Sequence, residues 1–331
     1  MEELQSIKLV RVIATLFILV CHVISYYYFI PGNGQLGQFF NVGVPMFIII
    51  SGYLYGLKSD RGEYSTREEL QRFFKGRMLR VALPCQLWAV IIFVVTFFAH
   101  PLNTLISVLN LQGLGWIILH AGMIDGGPYL SQTWFVTIIL LCYCLVPFLQ
   151  RYSKHKSSIR IVILIYVISI MLLWLRINLT YLALFIASYF AGTKRFETKR
   201  LSNWFLAILI VCALTGRLLG HMYCDGTILY NDAIAGISHH VIAAGIIVVV
   251  ANCTKKWKWV GAIASSRIVS FIDKHSYAIY IVHYCIIGFL FARFNLAIAT
   301  VLFVVWTIVM AYGLDFVVDQ VQRPLTRHRI K

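Results

Sequence analysis

Charged residues are scarce in this sequence. They make up 13% of its 331 residues, and Asp and Glu together number only 13. A soluble domain carries about a quarter charged residues, so this chain has too few to cover a water-facing surface. Apolar and aromatic residues account for 60% of the chain. These proportions exclude soluble, disordered and collagen-like proteins and indicate a polytopic membrane protein.

Disulfide frameworks, metal motifs and repeats are also missing. Most of the eight cysteines lie in apolar runs, where they behave as small hydrophobic residues. Cys142 and Cys144 form a C-x-C pair with no second pair nearby, which is a poor metal spacing. No linker, low-complexity tract or internal repeat is visible. We therefore expect one membrane-embedded domain over 1–331, with no metal site and no soluble domain.

Apolar runs of membrane-spanning length recur along the whole chain. A spanning helix needs about 20 residues, and the runs predict an all-α polytopic membrane protein with about ten transmembrane helices. The first run lacks a small-residue cleavage site, which indicates a retained helix rather than a signal peptide. The stretch 100–130 has no Lys or Arg and is a candidate interfacial or re-entrant segment. The predicted spans are 7–30, 36–57, 81–99, 131–150, 159–175, 177–193, 201–219, 232–251, 270–291 and 295–316.

The basic residues are segregated between the two sides of the predicted membrane. If the N-terminus is cytoplasmic, 25 of the 29 Lys and Arg residues fall in cytoplasmic segments. Only Arg176, Arg217 and Arg293 fall outside, and Arg11 lies within the first span. Lys and Arg accumulate in the cytoplasmic loops of membrane proteins. The pattern predicts that both termini are cytoplasmic, and it explains the net charge of +16 without a nucleic-acid partner.

The first predicted helix carries two ionisable residues, Arg11 and His22. Their spacing of eleven residues puts them on one helix face about 16 Å apart, with Arg11 toward the cytoplasm and His22 toward the outside. An ionisable group at this depth is unfavourable unless it faces a partner or a cavity. Each residue alone has a plainer interpretation, a snorkelling anchor for Arg11 and a helix-packing histidine for His22. The shared face favours a functional pair.

The order of several motifs along the chain resembles the acyltransferase 3 family, integral membrane enzymes that O-acylate cell-surface glycans. Arg11 and His22 form Arg-x10-His in the first helix, and the resemblance covers about residues 5–325. At the C-terminal end this chain has Gln322-Arg323-Pro324 where many members have Glu-x-Pro, which leaves the role of an acid there open. The other matching motifs are the apolar run 44–54 with Ser51-Gly52-Tyr53-Leu54, Arg77-Met78-Leu79-Arg80 before Pro84, Trp134-Phe135 with Tyr143 and Pro147, and 276–283.

The resemblance implies acyl transfer from a thioester. This chemistry needs a base for the incoming hydroxyl or a nucleophile that carries the acyl group, and a group that stabilises the oxyanion. We interpret His22 as the base or the acyl carrier. Arg11 lies below it on the same face, where it can pair with a phosphate or steady the acyl arm of the donor.

Two arginines are candidate ligands for the donor's phosphates. Arg77 and Arg80 are three residues apart at the cytoplasmic start of the third helix, where their guanidinium groups suit the phosphates of coenzyme A. Positive-inside topology or binding of anionic lipid are the alternative interpretations. Ser51 and its neighbour Gly52 allow close helix approach or a local break near the donor channel.

Five further residues are expected to bind substrate or to support the site. Ser276, Tyr280 and His283 line one face of the ninth helix, and interhelical hydrogen bonding is their alternative role. Trp134 is either a substrate contact or an aromatic-belt anchor, and the deeper hydroxyl of Tyr143 needs a partner.

Other polar residues have simpler interpretations. The adjacent His239 and His240 point about 100° apart, so we expect structural roles for them. The outer acids Asp125, Asp225 and Asp232 are expected to be solvated.

We therefore expect an O-acetyltransferase of the plasma membrane that uses acyl-coenzyme A, with acetyl as the expected acyl group. The expected acceptor is a hydroxyl of an extracytoplasmic or lipid-linked polysaccharide, and membrane lipid is the other expected partner. No permanently bound cofactor is expected. A transporter or flippase for a lipid-linked sugar is the alternative class, although no inverted repeat is visible. A structural or sensory protein is the third. Consumption of a thioester by the purified protein distinguishes the first class from the others.

The distribution of basic residues makes a topology prediction. In single-cysteine variants, probes in 58–76 and at the C-terminus should react with an impermeant thiol reagent only after permeabilisation. Probes in 220–230 should react in intact cells, because that segment is predicted to be outside. Labelling of 220–230 only after permeabilisation would reverse the orientation and the direction of transfer.

Overall fold

The computed structural model is all-helical and describes residues 2–26, 37, 40–59, 64, 66–119, 127–153, 159–193, 202–224 and 233–327. Each of the ten predicted apolar runs contains a helix, and parts of the runs 7–30, 36–57, 201–219 and 232–251 lie outside the described residues. The α-helices, numbered in chain order, are α1 Glu2–Tyr26, α2 Gly43–Leu57, α3 Arg67–Arg77, α4 Leu83–Val95, α5 Pro101–Val108, α6 Leu114–Ile117, α7 Gly127–Leu130, α8 Trp134–Ser153, α9 Ile159–Trp174, α10 Thr180–Thr193, α11 Asn203–Cys224, α12 Ala235–Lys256, α13 Lys258–Ala264, α14 Arg267–Val282, α15 Tyr284–Arg293 and α16 Leu296–Arg327.

Five helical segments of the described chain are long and apolar enough to cross a membrane, or six if the bent pair α14–α15 is one span. The helical character of the chain is therefore confirmed. Four shorter apolar helices, within α2, α9, α10 and α11, coincide with the remaining predicted runs. The count of ten spans and the cytoplasmic position of the termini stay predictions.

Two predicted spans differ in the structure from simple helices. The run 81–99 begins within a longer element, because α3 continues through a π turn, Met78–Ala82, into α4. The run 270–291 is broken at His283, where α14 and α15 meet at a bend of 72°. His283 Nδ1 lies 2.8 Å from the carbonyl oxygen of Tyr280, which the N–H of residue 284 would reach in a continuous α-helix. The side chain thus competes with the backbone at the break.

The described parts of the stretch between α4 and α8, 96–119 and 127–133, consist of short helices and turns tied to the body of the protein. Gln112 Nε2 donates to the carbonyl oxygen of Thr133 at 3.0 Å, and Gly113 N–H donates to Thr137 Oγ1 at 2.8 Å. A single bridge pairs Ile118 with Ile177 in the link between α9 and α10. These bonds satisfy backbone groups that a non-helical segment exposes, which is a condition for such a segment at membrane depth.

Helices α2 and α10 pack unusually closely through glycines. A Cβ atom on Gly56 would overlap the carbonyl oxygen of Tyr189, and one on Gly192 would overlap that of Tyr53. Gly52 and Gly56 form a G-x-x-x-G pair on α2, the spacing that allows close backbone approach between membrane helices. The expected close helix approach at Ser51-Gly52 therefore occurs, with α10 as the partner.

The glycine contact makes a stability prediction. Gly56→Ala should lower the free energy of unfolding by about 1–3 kcal/mol, because the new methyl group meets a backbone carbonyl that is not free to move away. Gly216→Ala is the matched control, since a Cβ there meets nothing within 4 Å. Thermal unfolding of the purified protein in detergent measures both. Equal melting temperatures for Gly56→Ala and wild type would show that α2 and α10 do not pack this closely.

Candidate active site

Helices α1 and α14 contact each other at two levels. Arg11 on α1 binds Asp273 on α14, and His22 lies against His283. The two residues on α1 are about 16 Å apart along the helix axis, and Asp273 is about 15 Å from His283, the residue that directly follows α14. The helices therefore run in the same direction, side by side and in register. The predicted shared face of Arg11 and His22 is the face that α1 turns toward α14.

The lower level is an ion pair with forked geometry. Arg11 Nε donates to Asp273 Oδ1 at 2.6 Å, and a terminal guanidinium nitrogen donates to Oδ2 at 2.9 Å. The Asp273 side chain is 10% exposed and that of Arg11 is 33% exposed. The first partner of Arg11 is thus a protein carboxylate, which neutralises its charge inside the helix bundle. The expected phosphate contact of Arg11 would have to share the guanidinium with this carboxylate.

The upper level brings two histidines and a tyrosine together. The ring centroid of His22 is 5.1 Å from that of His283 and 5.1 Å from that of Tyr284. His283 is fully buried, and its Nδ1 faces the carbonyl oxygen of Tyr280, so Nδ1 must carry the proton. Its Nε2 then holds a lone pair, and no hydrogen-bond partner lies within reach among the described residues. An available lone pair inside a bundle is what a proton acceptor requires.

Hydrogen bonds from neighbouring elements hold the break around His283. The Tyr280 hydroxyl donates to the carbonyl oxygen of Gln132, and Gln132 Nε2 donates to that of Ile281 at 2.7 Å. The hydroxyls of Tyr26 and Tyr284 are 2.7 Å apart. A bent helix at membrane depth leaves backbone carbonyls without donors, and the Gln132 amide supplies one to the carbonyl of Ile281.

The polar stripe predicted on the ninth span, 270–291, is present on α14 and at the break that follows it. It is one residue longer than expected. Ser276, Tyr280 and His283 are all buried, and the Ser276 hydroxyl donates to the carbonyl oxygen of Asp273 at 2.9 Å. Sequence reasoning missed Asp273, although it lies three residues before Ser276 and continues the spacing. It also missed the hydrogen bond of His275 with Asp315, which joins α14 to α16.

A second cluster surrounds Arg77 near the C-terminal end of α2. The guanidinium carbon lies 5.6 Å from the ring centroids of Tyr55 and Tyr143 and 5.7 Å from that of Phe73. These are cation–π distances. The Tyr143 hydroxyl has Ser51 and Arg77 as polar neighbours, so it has the partner that its depth requires. The structure therefore brings together Ser51, Arg77 and Tyr143, which the sequence singled out separately.

Arg80 has a different environment from Arg77. Arg77 is half-buried and its Nε is buried with no partner in the described part of the chain, whereas Arg80 is exposed. The prediction that they share one α-helical face assumed a regular helix. The π turn begins directly after Arg77 and includes Arg80, so the α-helical spacing does not hold there.

Trp134 belongs to an aromatic group at the start of α8. Its ring is stacked on Trp116, with centroids 4.4 Å apart, and lies 5.4 Å from that of Tyr181. Trp116 is exposed and comes from the short helix α6. The group forms an aromatic surface at the end of α8 that is predicted to face outward, which suits either a belt anchor or a substrate contact.

The other polar residues of the sequence analysis lie apart from these clusters. His239 hydrogen-bonds to Arg217, and His240 Nδ1 hydrogen-bonds to the hydroxyl of Tyr166, as expected for structural histidines. The acids Asp125, Asp225 and Asp232 lie outside the described residues.

The fold and the site define an all-helical membrane protein with a histidine pair at a helix break, in which His283 is buried and His22 is partly exposed. Residues 4–318 match the acyltransferase 3 family, which is described as an acyltransferase domain. The chain belongs to this family and is a membrane acyltransferase. No curated protein and no solved structure matches the chain.

The ion pair between α1 and α14 generates a stability prediction. Asp273→Leu should lower the free energy of unfolding by about 2 kcal/mol, less than for a fully buried pair because Arg11 is partly exposed. Adding Arg11→Met should recover most of that loss, since the unpaired charge is gone. Thermal unfolding measures both effects. A double variant as unstable as Asp273→Leu alone would show that the two side chains do not pair.

Proposed function

We propose that the chain transfers an acetyl group from cytosolic acetyl-coenzyme A to a hydroxyl of an extracytoplasmic or lipid-linked polysaccharide at the plasma membrane. The observation that carries the proposal is the pair His22 and His283, placed at a helix break beside the ring of Tyr284, whose hydroxyl pairs with that of Tyr26. Family membership supports acyl transfer. The positions of the basic residues support a cytosolic donor and an outward-facing acceptor.

The histidine pair suits direct transfer by general-base catalysis. His22 takes the proton of the acceptor hydroxyl while that oxygen attacks the carbonyl carbon of the thioester. The tetrahedral intermediate carries an oxyanion, and the hydroxyl of Tyr284, whose ring lies beside His22, is a candidate donor to it together with the hydroxyl of Tyr26. When the C–S bond breaks, the leaving thiolate takes the proton from His22. The ester and the free thiol are the products, and the histidine returns to its neutral form.

His283 has a defined part in this scheme. Its Nδ1–H bond to Tyr280 fixes the tautomer, so its Nε2 can accept a proton or a hydrogen bond from His22 or from the substrate. In an alternative route His22 attacks the thioester and carries the acetyl group, and His283 deprotonates the acceptor in the second step. The second route needs both rings near one carbonyl carbon, which the ring separation of 5.1 Å permits.

The cluster around Arg77 suits the donor end. A half-buried guanidinium over three aromatic rings has already lost part of its hydration, so a phosphate that reaches it forms a strong charge-assisted bond. Arg80 adds a second cation at the exposed edge. We propose that Arg77 and Arg80 bind the phosphates of coenzyme A, and that the pantetheine arm extends from them toward His22.

The broken helix α14–α15 also favours a second candidate function, because secondary transporters place binding sites at such breaks. A transporter for a lipid-linked sugar would leave acetyl-coenzyme A intact. Release of free thiol from acetyl-coenzyme A by the purified protein separates the two functions.

Replacing His22 is the direct test of the proposed chemistry. His22→Gln keeps a polar side chain but removes the basic ring, and acetyl transfer should fall by on the order of 100-fold or more. His283→Gln should lower the rate as well. Transfer is measured in membranes and normalised to folded protein.

The matched control is His240→Gln, which changes a buried histidine that lies apart from the pair. It should affect stability but leave the rate per folded molecule within a few-fold of wild type. Near-normal transfer by His22→Gln would remove His22 from the chemistry and leave His283 as the base.

A further inference from the structure

The π turn between α3 and α4 leaves the backbone carbonyl of Leu79 without a helical donor. Leu83 N–H donates to the carbonyl oxygen of Met78, five residues back. The carbonyl of Leu79 would need Leu83 at α-helical spacing or residue 84 at π spacing. Leu83 is already used, and residue 84 is a proline, which has no N–H.

A side chain from the last helix supplies the missing donor. Gln322 Nε2 on α16 donates to the Leu79 carbonyl oxygen at 2.6 Å. Two residues further along the turn, the carbonyl oxygen of Val81 accepts a hydrogen bond from the Tyr277 hydroxyl of α14 at 2.5 Å. The turn is therefore held by two hydrogen bonds from two different helices.

Both candidate donor-binding arginines depend on this turn for their direction. Arg77 is the residue directly before it, and Arg80 lies inside it between the two anchored carbonyls. If the turn reverted to a regular α-helix, the residues after Arg77 would rotate relative to those before it, so Arg80 would point in a new direction relative to Arg77. Distance and angle decide whether two guanidinium groups hold one phosphorylated ligand.

We propose that Gln322 is a positioning residue for the donor site, with Tyr277 as its second support, because their hydrogen bonds fix the π turn that orients Arg77 and Arg80. The inference rests on the proposed function, in that it takes the phosphates of the acyl donor as the ligand of these arginines. It also gives the amide at position 322 a specific role. An ionised glutamate there has no hydrogen to donate to Leu79, and it would place a negative charge beside the arginine turn.

The test uses the full-length protein in lipid nanodiscs and measures the dissociation constants of acetyl-coenzyme A and its 3′-dephospho analogue. Gln322→Met removes the donor at similar size, and Gln322→Glu removes it and adds a charge. Gln320→Glu is the matched control, since it adds the same charge at an exposed position two residues away. Arg80→Ala is the reference for loss of the arginine site.

The proposal predicts that both Gln322 variants weaken binding of acetyl-coenzyme A by about tenfold, the effect of one lost hydrogen bond to an otherwise unpaired group. The loss should be smaller with the 3′-dephospho donor, which a general loss of folding would not produce. Gln320→Glu should stay within twofold of wild type. Tyr277→Phe should weaken binding in the same direction.

Two results would overturn the proposal. One is a folded Gln322→Met that binds acetyl-coenzyme A as tightly as wild type. The other is a Gln322→Met that does not fold while Tyr277→Phe binds normally, which would make Gln322 a support of the fold alone. Binding by Arg80→Ala shows whether only the positioning role of Gln322 has failed or the proposed donor site as well. If Arg80→Ala weakens binding and the Gln322 variants do not, only the positioning role is lost, whereas normal binding by Arg80→Ala removes the donor site itself.

Discussion

The contact of α1 with α14 is the interaction on which the site depends. A forked ion pair between Arg11 and Asp273 fixes the two helices at one level. Because the helices run in the same direction, this register brings His22 level with His283 about three turns further along. A shift of α1 by one residue would turn His22 about 100° away from α14. The ion pair therefore contributes to the chemistry through alignment, in addition to any contact that Arg11 makes with the donor.

Irregular backbone inside the bundle is the second constraint. Carbonyl groups that lose their helical donors are unfavourable in a membrane unless the protein supplies others. At the α14–α15 break the donor to Tyr280 is the ring of His283, and at the π turn the donor to Leu79 is the amide of Gln322. In both places the hydrogen bond that satisfies a backbone carbonyl also constrains the site. It fixes the tautomer of His283 at the break, and it is proposed to fix the direction of the arginines at the π turn.

Much of the fold follows from the sequence, because apolar runs and basic loops are direct consequences of placing a chain in a membrane. The stripe Ser276, Tyr280 and His283 was likewise visible from spacing alone. The break at His283 and the π turn after Arg77 were not, since each depends on a bond between a side chain and a particular carbonyl. The partner of Arg11 was missed for a related reason. Spacing shows which residues share a face, but the choice of Asp273 depends on which helix packs there and in which direction.

The central claim is that the histidine pair meets the acyl group of the donor. The most direct measurement is an experimental structure of the wild-type protein with a coenzyme A analogue in which a methylene group replaces the sulfur beside the acyl carbonyl, so that transfer is blocked. The account predicts the carbonyl carbon about 3–4 Å from a ring nitrogen of His22 or His283, the separation of a near-attack geometry. It also predicts the phosphates at Arg77 and Arg80. An acyl group bound away from both histidines would contradict the account.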